Sequence, residues 1–276
     1  MTDEERIKKL RKRIFLTAYR NGTTHLASAY SCLEILYVLY MKNIITHAAN
    51  ALEDKNRDRF VLSKGHAAIA LYAVMEEAGL LEKEELDTFL KSGTRLGGEP
   101  CRQDLDLIET STGSLGHGLC VATGMALVQK IEHSKHRTFC LIGDGESEEG
   151  SVWEAAMSAA SFRLGNLTVI LDYNRLQKNY EVSQFMGQPK WVEKWTAFGW
   201  NVKEADGHDI HALQETLAKA GCAERPTIIL ANTVKGKGVS IMENDSKWHF
   251  KLPNKRELKI FMKELQISET EISEVV

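Results

Sequence analysis

The sequence TFCLIGDG at residues 138–145, followed by LTVILDYN at residues 167–174, decides the fold of this chain. Each segment begins with a short apolar run that is typical of a buried strand, and residues 151–163 between them have a helical pattern. Strand, helix and strand in this order predict a βαβ unit with parallel strands. Because parallel strands end at the same edge of a sheet, we expect Asp144 and Asn174 to lie close together.

Asp144 and Asn174 carry the oxygen ligands that Mg²⁺ prefers, a carboxylate and an amide carbonyl. Phosphate and water oxygens could complete an octahedron around the ion. A tight glycine turn at residues 143–145 and an ordinary asparagine at a strand end form the alternative interpretation. The spacing and the sequence between the two strands favour a site for magnesium and a diphosphate.

The sequence GDGESEEGSVWEAA at residues 143–156, with DYNRLQ at residues 172–177, resembles the thiamine-diphosphate motif of transketolases. The resemblance implies that Asp144 and Asn174 bind Mg²⁺, or Ca²⁺ or Mn²⁺ as a substitute, and that the backbone carbonyl of Leu176 is a third ligand. Nearly the whole chain takes part, because further segments match the family in order at residues 21–25, 31–36, 57–66, 111–118, 205–209 and 234–249.

The resemblance also implies roles for individual residues around thiamine diphosphate. The implied cofactor-binding residues are His66, Gly113, Leu115, Gly143, Asp144, Gly145, Asn174 and His249. The implied catalytic residues are His25, His66, His249 and Glu149, and the implied substrate contacts are His25, Glu99 and His249. Gly145 permits close approach to the phosphates because it has no side chain. Glu149 corresponds to an acid near the subunit interface, although an acid before a helix also favours the helix dipole.

For other histidines and for two lysines, the sequence allows both a functional and a structural interpretation. A single histidine is more often structural than functional, and only its place within a matching motif reverses this preference. His208, in the sequence DGHD at residues 206–209, stays open. Lys235 and Lys237 either supply an anion site or are simply solvated in their glycine turn. We expect structural or surface roles for His117, His133, His136 and His211.

The family's catalytic site needs a second domain that we do not find in this sequence. In transketolases a glutamate of a pyrimidine-binding domain activates the cofactor, which transfers a two-carbon ketol unit from a ketose to an aldose. The resemblance therefore implies the amino-terminal subunit of a split transketolase, active only with a second subunit that carries the pyrimidine-binding and carboxy-terminal domains, in an α2β2 assembly. Truncation of a longer chain is the alternative, although Met1 and the charged terminus favour a complete chain.

Length and composition are consistent with one large enzyme domain. We predict a single diphosphate-binding domain over residues 1–276, with a parallel sheet covered by helices on both faces, a charged amino-terminal helix and a helical tail from about residue 254. The 35 basic and 38 acidic residues are interspersed, so no nucleic-acid footprint is present. No apolar run reaches the roughly 20 residues that span a bilayer. The absence of a signal-peptide pattern and of close cysteine pairs indicates a cytoplasmic protein.

Three positions depart from the family's pattern. Glu99, in LGGEP at residues 96–100, stands where a histidine is usual, and its carboxylate would repel phosphate but accept hydrogen bonds. Phe250 replaces the commoner glycine, and KNY at residues 178–180 departs from the usual Asp-Gly.

Glu99 motivates an alternative function, two-carbon transfer to an unusual non-phosphorylated or carrier-bound acceptor. Two further alternatives are a non-catalytic transketolase-like subunit, and an acyl-transferring dehydrogenase subunit.

One predicted helix carries a strip of small residues. The helix begins near Ser114, and Gly118, Ala122 and Ala126 recur on it at intervals of four. Small side chains let a neighbouring backbone approach closely. We therefore expect this strip to contact a neighbouring element, and a helix of a partner subunit is one candidate.

Overall fold

The computed structural model describes residues 1–22, 25–46, 57–178 and 180–275, without the side chains of Phe185 and Met186. Thr23, Thr24 and Asn179, which belong to segments discussed above, lie outside the described residues. Within the described ranges the strands are β1 (Arg59–Leu62), β2 (Thr138–Gly143), β3 (Leu167–Tyr173), β4 (Leu176–Gln177), β5 (Tyr180–Glu181), β6 (Asn201–Asp206) and β7 (Thr227–Asn232).

Helices account for most of the remaining described chain. The α-helices are α1 (Asp3–Asn21), α2 (Leu26–Ser31), α3 (Leu33–Met41), α4 (Ala68–Glu77), α5 (Lys83–Leu86), α6 (His117–Ile131), α7 (Gly150–Ser161), α8 (Ser183–Met186), α9 (Trp191–Ala197), α10 (Ile210–Ala218), α11 (Lys255–Leu265) and α12 (Glu269–Ser273). Short 3₁₀ helices occur at Gly65–Ala67, Glu146–Glu148 and Ser246–Phe250. No described helix is both long enough and apolar enough to cross a membrane.

Five strands form one parallel sheet in the order β1-β2-β3-β7-β6. The remaining strands, β4 and β5, make a short antiparallel hairpin. In the predicted βαβ unit, Thr138 pairs with Leu167 and Gly143 pairs with Asp172, so β2 and β3 end side by side. The connecting helix α7 ends two residues before the predicted boundary, because Arg163 takes a left-handed φ of 50°.

Helices cover both faces of the sheet, and the side chains of each strand alternate between them. Phe139 and Leu141 of β2 belong to a core with α1 to α4, α10 and α11. Cys140 and Ile142 of the same strand belong to a second core with α6, α7 and α9. The predicted fold class, a parallel α/β sheet covered by helices, is confirmed.

The two ends of the described chain pack against each other. The inward side of α1 is buried as its spacing predicts, with Ile14 and Ala18 wholly inaccessible. Helix α11 begins at Lys255, next to the residue at which we predict the helical tail. The ring of Phe261 on α11 lies 4.9 Å from that of Phe15 on α1, measured between centroids. The tail therefore packs on this chain's own first helix.

The small-residue strip of α6 faces the interior of this chain. A Cβ placed on Gly118 would lie 2.4 Å from Ser63 Oγ, just beyond β1. Ala122 and Ala126 are fully buried in the second core. The expectation of a neighbouring element is confirmed, but the partner-subunit candidate is wrong for these residues, because the sheet already occupies the space next to them.

Candidate active site

A cavity of about 400 Å³ lies at the carboxyl edge of the parallel sheet. Strand ends β2 and β3, the start of α6 and the loops before α2 and after β7 surround it. All of the site residues predicted from the sequence line this cavity: His25, His66, Glu99, Gly113, Leu115, Gly143, Asp144, Gly145, Glu149, Asn174, Leu176 and His249. The fold thus brings together residues that are separated by more than 200 positions in the chain.

The loops after β2 and β3 are tied directly to each other. Asp144 is 2% exposed, and its Oδ1 accepts a hydrogen bond from Gly145 N at 2.8 Å. Its Oδ2 accepts one from Arg175 N at 2.5 Å. Burial, followed by the nearby Asp172 charge, raises the pKa of Asp144 to about 7. This carboxylate is poorly compensated by the described groups, which favours a cation beside it.

Hydrogen bonds fix the orientation of the Asn174 amide. Its Nδ2 donates to Ser31 Oγ at 3.0 Å and to Asp172 Oδ2 at 3.3 Å. Its Oδ1 accepts from Leu176 N at 3.0 Å. The nitrogen therefore faces the buried acceptors, while the oxygen accepts one hydrogen bond and keeps a lone pair available to a cation.

Beneath Asn174, a buried ion pair supports the site. Lys64 Nζ contacts Asp172 Oδ2 and also donates to Ser28 O at 3.3 Å. Thr233 Oγ1 donates to Asp172 Oδ1 at 2.5 Å. Burial lowers the pKa of Lys64, but the Asp172 carboxylate outweighs this effect and raises the pKa above its ordinary value. Lys64 is therefore a charged residue whose partner lies within the protein.

Lys235 differs from Lys64 because no carboxylate forms an ion pair with it among the described residues. It is 2% exposed, and its Nζ lies 3.1 Å from His249 Nδ1 and 3.5 Å from Leu176 O. Burial and the Lys64 charge lower the pKa of Lys235 to about 8. Simple solvation was one of the two interpretations from sequence, and it is wrong for Lys235. A buried ammonium that lines a cavity favours an anionic ligand.

Three histidines from distant segments form one cluster. The ring centroid of His25 lies 5.4 Å from that of His66 and 5.3 Å from that of His249. Burial lowers the pKa of all three rings, and the Lys235 charge helps to lower that of His249 to about 3. The imidazoles are thus neutral near pH 7, and each can both donate and accept a hydrogen bond.

Two glycines of the site are required by their neighbours. A Cβ placed on Gly145 would lie 2.7 Å from Gln177 Cβ. Gly113 has a φ of 133°, and a Cβ there would lie 1.7 Å from Glu99 Oε2. The Glu99 carboxylate therefore lies directly over Gly113, the segment that the family resemblance assigns to the cofactor.

Glu146 is a residue of the site that the sequence interpretation missed. Its Oε1 accepts from Ser63 Oγ at 2.5 Å and from Gly116 N at 2.9 Å, while Oε2 accepts from Gly143 N at 3.0 Å. Burial raises the pKa of this carboxyl. Glu146 thus joins the ends of β1 and β2 to the start of α6. Three glutamates, Glu146, Glu148 and Glu149, occur close together in this segment, and no local signal distinguishes the structural one.

The outer part of the cavity is more exposed. Phe250 is 54% exposed, and its ring centroid lies 4.3 Å from that of His249 and 5.1 Å from that of His25. Glu99 and Lys178 are exposed as well. Glu149 is the N-cap residue of α7 and makes no capping hydrogen bond with its side chain. These side chains leave the cavity open on this side.

His208 has structural contacts. Its Nε2 accepts a hydrogen bond from Val234 N at 2.8 Å, and its Nδ1 lies 3.1 Å from Glu34 Oε2. Because Val234 precedes Lys235, His208 helps to place the loop that carries the buried lysine. These contacts favour the structural interpretation of His208 over a direct role in the cavity.

The donor atoms fit a divalent cation only if a ligand adds oxygens. Among the described residues, no group of three or more histidine, cysteine, aspartate and glutamate side chains could hold a metal ion. The expected protein ligands are instead one carboxylate, one amide oxygen and one backbone carbonyl, from Asp144, Asn174 and Leu176. Such a set leaves several positions for phosphate and water oxygens, as Mg²⁺ commonly requires.

Residues 3–270 match the family described as transketolase, thiamine diphosphate binding domain. The chain belongs to this family. It is 38% identical over 253 residues to a Phocaeicola vulgatus protein named as one subunit of an apulose-4-phosphate transketolase, covering 91% of this chain and 89% of that protein. It is 39% identical over 225 residues to the 6-deoxy-6-sulfo-D-fructose transketolase subunit SqwG of a Clostridium species, covering 80% of this chain and 81% of that one.

Human and Campylobacter jejuni transketolase are more than twice as long as the part that this chain matches. Human transketolase is 39% identical over 231 residues, which are 83% of this chain but 36% of the human protein. The crystal structure of Campylobacter jejuni transketolase superposes with a TM-score of 0.86 at 25% identity, covering all of this chain and 46% of the other. The transketolase family predicted from the motifs is confirmed. The chain matches the two relatives that are named as one subunit of a transketolase over most of their length.

Proposed function

We propose that this chain is the thiamine diphosphate-binding and magnesium-binding subunit of a split transketolase. With a second subunit, it transfers a two-carbon ketol unit from a ketose donor to an aldose acceptor. The observation that carries the proposal is the convergence of Asp144, Asn174 and the three histidines on one cavity at the edge of the sheet. The length match with relatives that are named as individual transketolase subunits supports the need for a second chain.

The deep part of the cavity has the groups that a magnesium diphosphate needs. Asp144, the Asn174 amide oxygen and the Leu176 carbonyl would hold Mg²⁺, for which Ca²⁺ or Mn²⁺ could substitute. The ammonium of Lys235 and the rings of His66 and His249 line the same space and would face the diphosphate. Gly143 and Gly145 let the phosphates approach the backbone.

The chain's own residues would position substrate and move protons. When bound, thiamine diphosphate supplies the carbon nucleophile for cleavage beside a ketose carbonyl, which no side chain offers. His25 and His249 are neutral and can hydrogen-bond substrate hydroxyls or carry a proton between them. Gly113 and Leu115 would support the aminopyrimidine ring. Glu149 lies at the exposed side of the cavity, where it would face a second subunit.

The second subunit would complete the site. We expect it to carry the pyrimidine-binding and carboxy-terminal domains, to supply the activating glutamate and to assemble with this chain as α2β2. Relatives whose names describe them as single subunits of a transketolase support the existence of such a partner. All five cysteines of the chain are free thiols, which supports a reducing, cytoplasmic location.

The position of Glu99 favours a second candidate function. Its carboxylate lies over Gly113 in the cavity, and Arg95, four positions earlier in the chain, pairs with Glu85 instead. A negative charge at this place disfavours a phosphate and favours hydroxyl groups. Two-carbon transfer to a non-phosphorylated or carrier-bound acceptor is therefore the second candidate.

Reconstitution tests the proposed function. The chain is purified with the product of a neighbouring gene that encodes the missing domains, and ketol transfer is measured with several ketose and aldose pairs. We expect turnover only when both subunits, Mg²⁺ and thiamine diphosphate are present. An assembled complex that binds the cofactor but transfers no ketol unit to any acceptor would refute the proposal.

A further inference from the structure

His208 does not line the cavity, but its ring belongs to a cluster that contacts the turn of Lys235. The cluster consists of Arg11 on α1, Glu34 on α3 and His208 between β6 and α10, and we call it the supporting triad. Arg11 forms a buried ion pair with Glu34, and His208 Nδ1 lies 3.1 Å from Glu34 Oε2. Burial raises the pKa of Glu34, but its contacts with His208 and Arg11 outweigh this effect and lower the pKa. Glu34 is therefore a charged carboxylate at neutral pH.

The contacts of the His208 ring select one of its two neutral forms. A backbone N–H can only donate, so Nε2, which lies 2.8 Å from Val234 N, must carry a lone pair. The ring proton is then on Nδ1, where it faces the carboxylate of Glu34. A doubly protonated ring would direct an N–H at the amide of Val234. Glu34 thus decides which ring nitrogen is free to accept from the turn.

The backbone on both sides of His208 has partners of its own. Gly207 N donates to Asn232 O at 2.8 Å, and a Cβ placed on Gly207 would lie 2.3 Å from Thr233 Cγ2. The side chain of Asp209 caps the start of α10. The ring therefore projects from a segment that is fixed against the end of β7.

The supporting triad contacts the turn at residues 234–238 at both of its ends. Its histidine accepts the amide of the first residue. At the last residue, a Cβ placed on Gly238 would lie 2.7 Å from Arg11 Cδ. Between these contacts, Gly236 N donates to Ala27 O at 3.0 Å. The turn is thus held by elements that are distant in the chain.

Lys235 depends on this turn for its position. Among the described residues no carboxylate forms an ion pair with it, and its Nζ contacts only His249 Nδ1 at 3.1 Å and Leu176 O at 3.5 Å. A lysine has a flexible stem of four carbons. Without an ionic partner, the ammonium is directed mainly by its own backbone, which continues directly from the amide that His208 accepts.

We propose that His208 is a positioning residue, which accepts the Val234 amide in its Nδ1–H form and thereby holds the Lys235 ammonium where the diphosphate binds. The ring itself touches neither cofactor nor substrate. The inference rests on the proposed cofactor site, because Lys235 has an anion to bind only there. It assigns to that site a residue that lies outside the cavity.

Two amides of different length separate the two contacts of the ring. Asparagine places an N–H near the position of Nδ1, so His208→Asn keeps a donor to Glu34 and loses the acceptor for Val234. Glutamine reaches the position of Nε2, so His208→Gln keeps that acceptor and loses the donor to Glu34. The variants are matched controls, because each keeps the contact that the other lacks.

Calorimetry on the full-length chain with Mg²⁺ measures the Kd for thiamine diphosphate and for inorganic pyrophosphate. We expect His208→Asn to raise both Kd values about 10-fold and His208→Gln to leave them within about a factor of three. Urea denaturation should give the opposite order, with His208→Gln less stable, because the buried Glu34 loses its donor. Affinities that follow the order of stability would overturn the proposal, since a merely structural role predicts that order.

The outcomes distinguish this role from the cofactor site itself. A wild-type chain that binds neither probe would refute the proposed cofactor site together with the role of His208. Equal Kd values for the two variants, with binding by the wild type intact, would refute the role of His208 alone.

A double variant tests whether His208 acts through Lys235. In a Lys235→Met background the ammonium is absent, so we expect His208→Asn to raise the Kd for pyrophosphate by less than about a factor of two. A further increase of about 10-fold in the double variant would overturn the proposal, because independent contributions add.

The ring of the unliganded wild-type chain can be examined without any variant. We expect ¹⁵N NMR at pH 7 to show the proton of His208 on Nδ1 and a coupling across the hydrogen bond between Val234 N and His208 Nε2. A proton on Nε2 would overturn the proposal, whatever the variants show.

Discussion

The floor and the rim of the cavity differ in burial and in the number of polar contacts of their side chains. The floor, which we define as Lys64, Asp144, Asp172 and Asn174, is at most 6% exposed, and each side chain has at least two polar partners. The rim, which we define as Glu99, Lys178 and Phe250, is exposed. The floor follows the family's motif, and the departures from it lie at the rim. We therefore expect the proposed cofactor binding to tolerate fewer substitutions than substrate choice does.

The physical reason is the cost of an unsatisfied buried polar group. Leaving one such group without its partner costs about 1–3 kcal/mol, and more for a charge. A substitution in the floor therefore affects several neighbours at once. A substitution at an exposed position usually changes stability by less than about 0.5 kcal/mol. We therefore expect that side chains of the rim can change without disturbing the proposed cofactor site beneath them.

The largest expected effect comes from the floor. Asp144→Ala removes the only carboxylate of the proposed metal site, so we expect the Kd for thiamine diphosphate in the presence of Mg²⁺ to rise at least about 1,000-fold, or about 4 kcal/mol. Isothermal titration calorimetry on the chain measures this change. Asp144→Asn, which keeps the side-chain shape but loses the charge, is the matched variant. Unchanged metal-dependent binding in both would disprove the clamp and remove the distinction between floor and rim.

Lys235 and Lys237 of the glycine turn test whether burial of a charge matters for binding, because only Lys235 is buried. Lys235→Met removes a buried ammonium, so we expect the Kd for thiamine diphosphate to rise about 100-fold because the diphosphate loses a charge partner. The same change should stabilise the cofactor-free chain by about 1 kcal/mol, because an unpaired buried charge disappears. Calorimetry and chemical denaturation measure these opposite effects.

Lys237→Met is the control for Lys235, because its side chain is 39% exposed and lies 3.9 Å from Glu243. We expect it to change neither the affinity nor the stability beyond about 0.5 kcal/mol. Equal effects of the two substitutions would mean that burial of Lys235 has no role in binding.

At the rim, a change should alter selectivity alone. For Glu99→His in the complete assembly, we expect the ratio of kcat/KM values for phosphorylated and unphosphorylated acceptors to rise about 10-fold, or about 1.4 kcal/mol, because a repulsive charge is lost. The Kd for thiamine diphosphate should stay within a factor of three. Glu99→Gln separates loss of charge from gain of an imidazole. A constant ratio in both variants would show that Glu99 does not select substrates.

The smallest expected effect is a pH dependence at the boundary between floor and rim. The pKa of His249 is lowered to about 3 by burial and the Lys235 charge, against about 6.5 in an unfolded chain. Below pH 6.5 the unfolded state therefore binds a proton that the folded state does not, and the free energy of unfolding falls as the pH decreases.

Urea denaturation of the cofactor-free chain and of His249→Gln at pH 7 and pH 5 isolates this contribution. The full difference in pKa would correspond to about 2 kcal/mol between pH 7 and pH 5. Because solvent partly screens this ring, we expect the wild type to lose about 1 kcal/mol more than the variant. Groups common to both proteins, including Asp144, cancel in this comparison. Parallel pH profiles would show that the ring is as easily protonated in the folded chain as in the unfolded one.

Much of the fold followed from local sequence patterns. The apolar runs before Asp144 and Asn174 predicted two parallel strands, and the structure places these strands side by side. The pattern was sufficient because strand and helix periods are encoded by neighbouring residues. Motif order then located the histidine loops, which converge on the cavity in the structure.

Other assignments depended on partners that are distant in sequence. Glu146 accepts a hydrogen bond from Ser63, which lies 83 positions away in the chain, whereas Glu148 accepts one from Gln177 near the surface. On α6 the regular spacing of small residues drew attention to Gly118, which faces the sheet, and away from Gly124, which faces outward.

The sequence by itself determined the α/β order of elements, the family and the positions of the segments that carry Asp144, Asn174 and the three histidines, because these depend on residue type and spacing. Only the tertiary structure decided which acid supports the loops, which lysine is buried and which face of α6 is open. Burial and hydrogen-bond partners come from elements that are far apart in the chain, and no local pattern records how closely they approach.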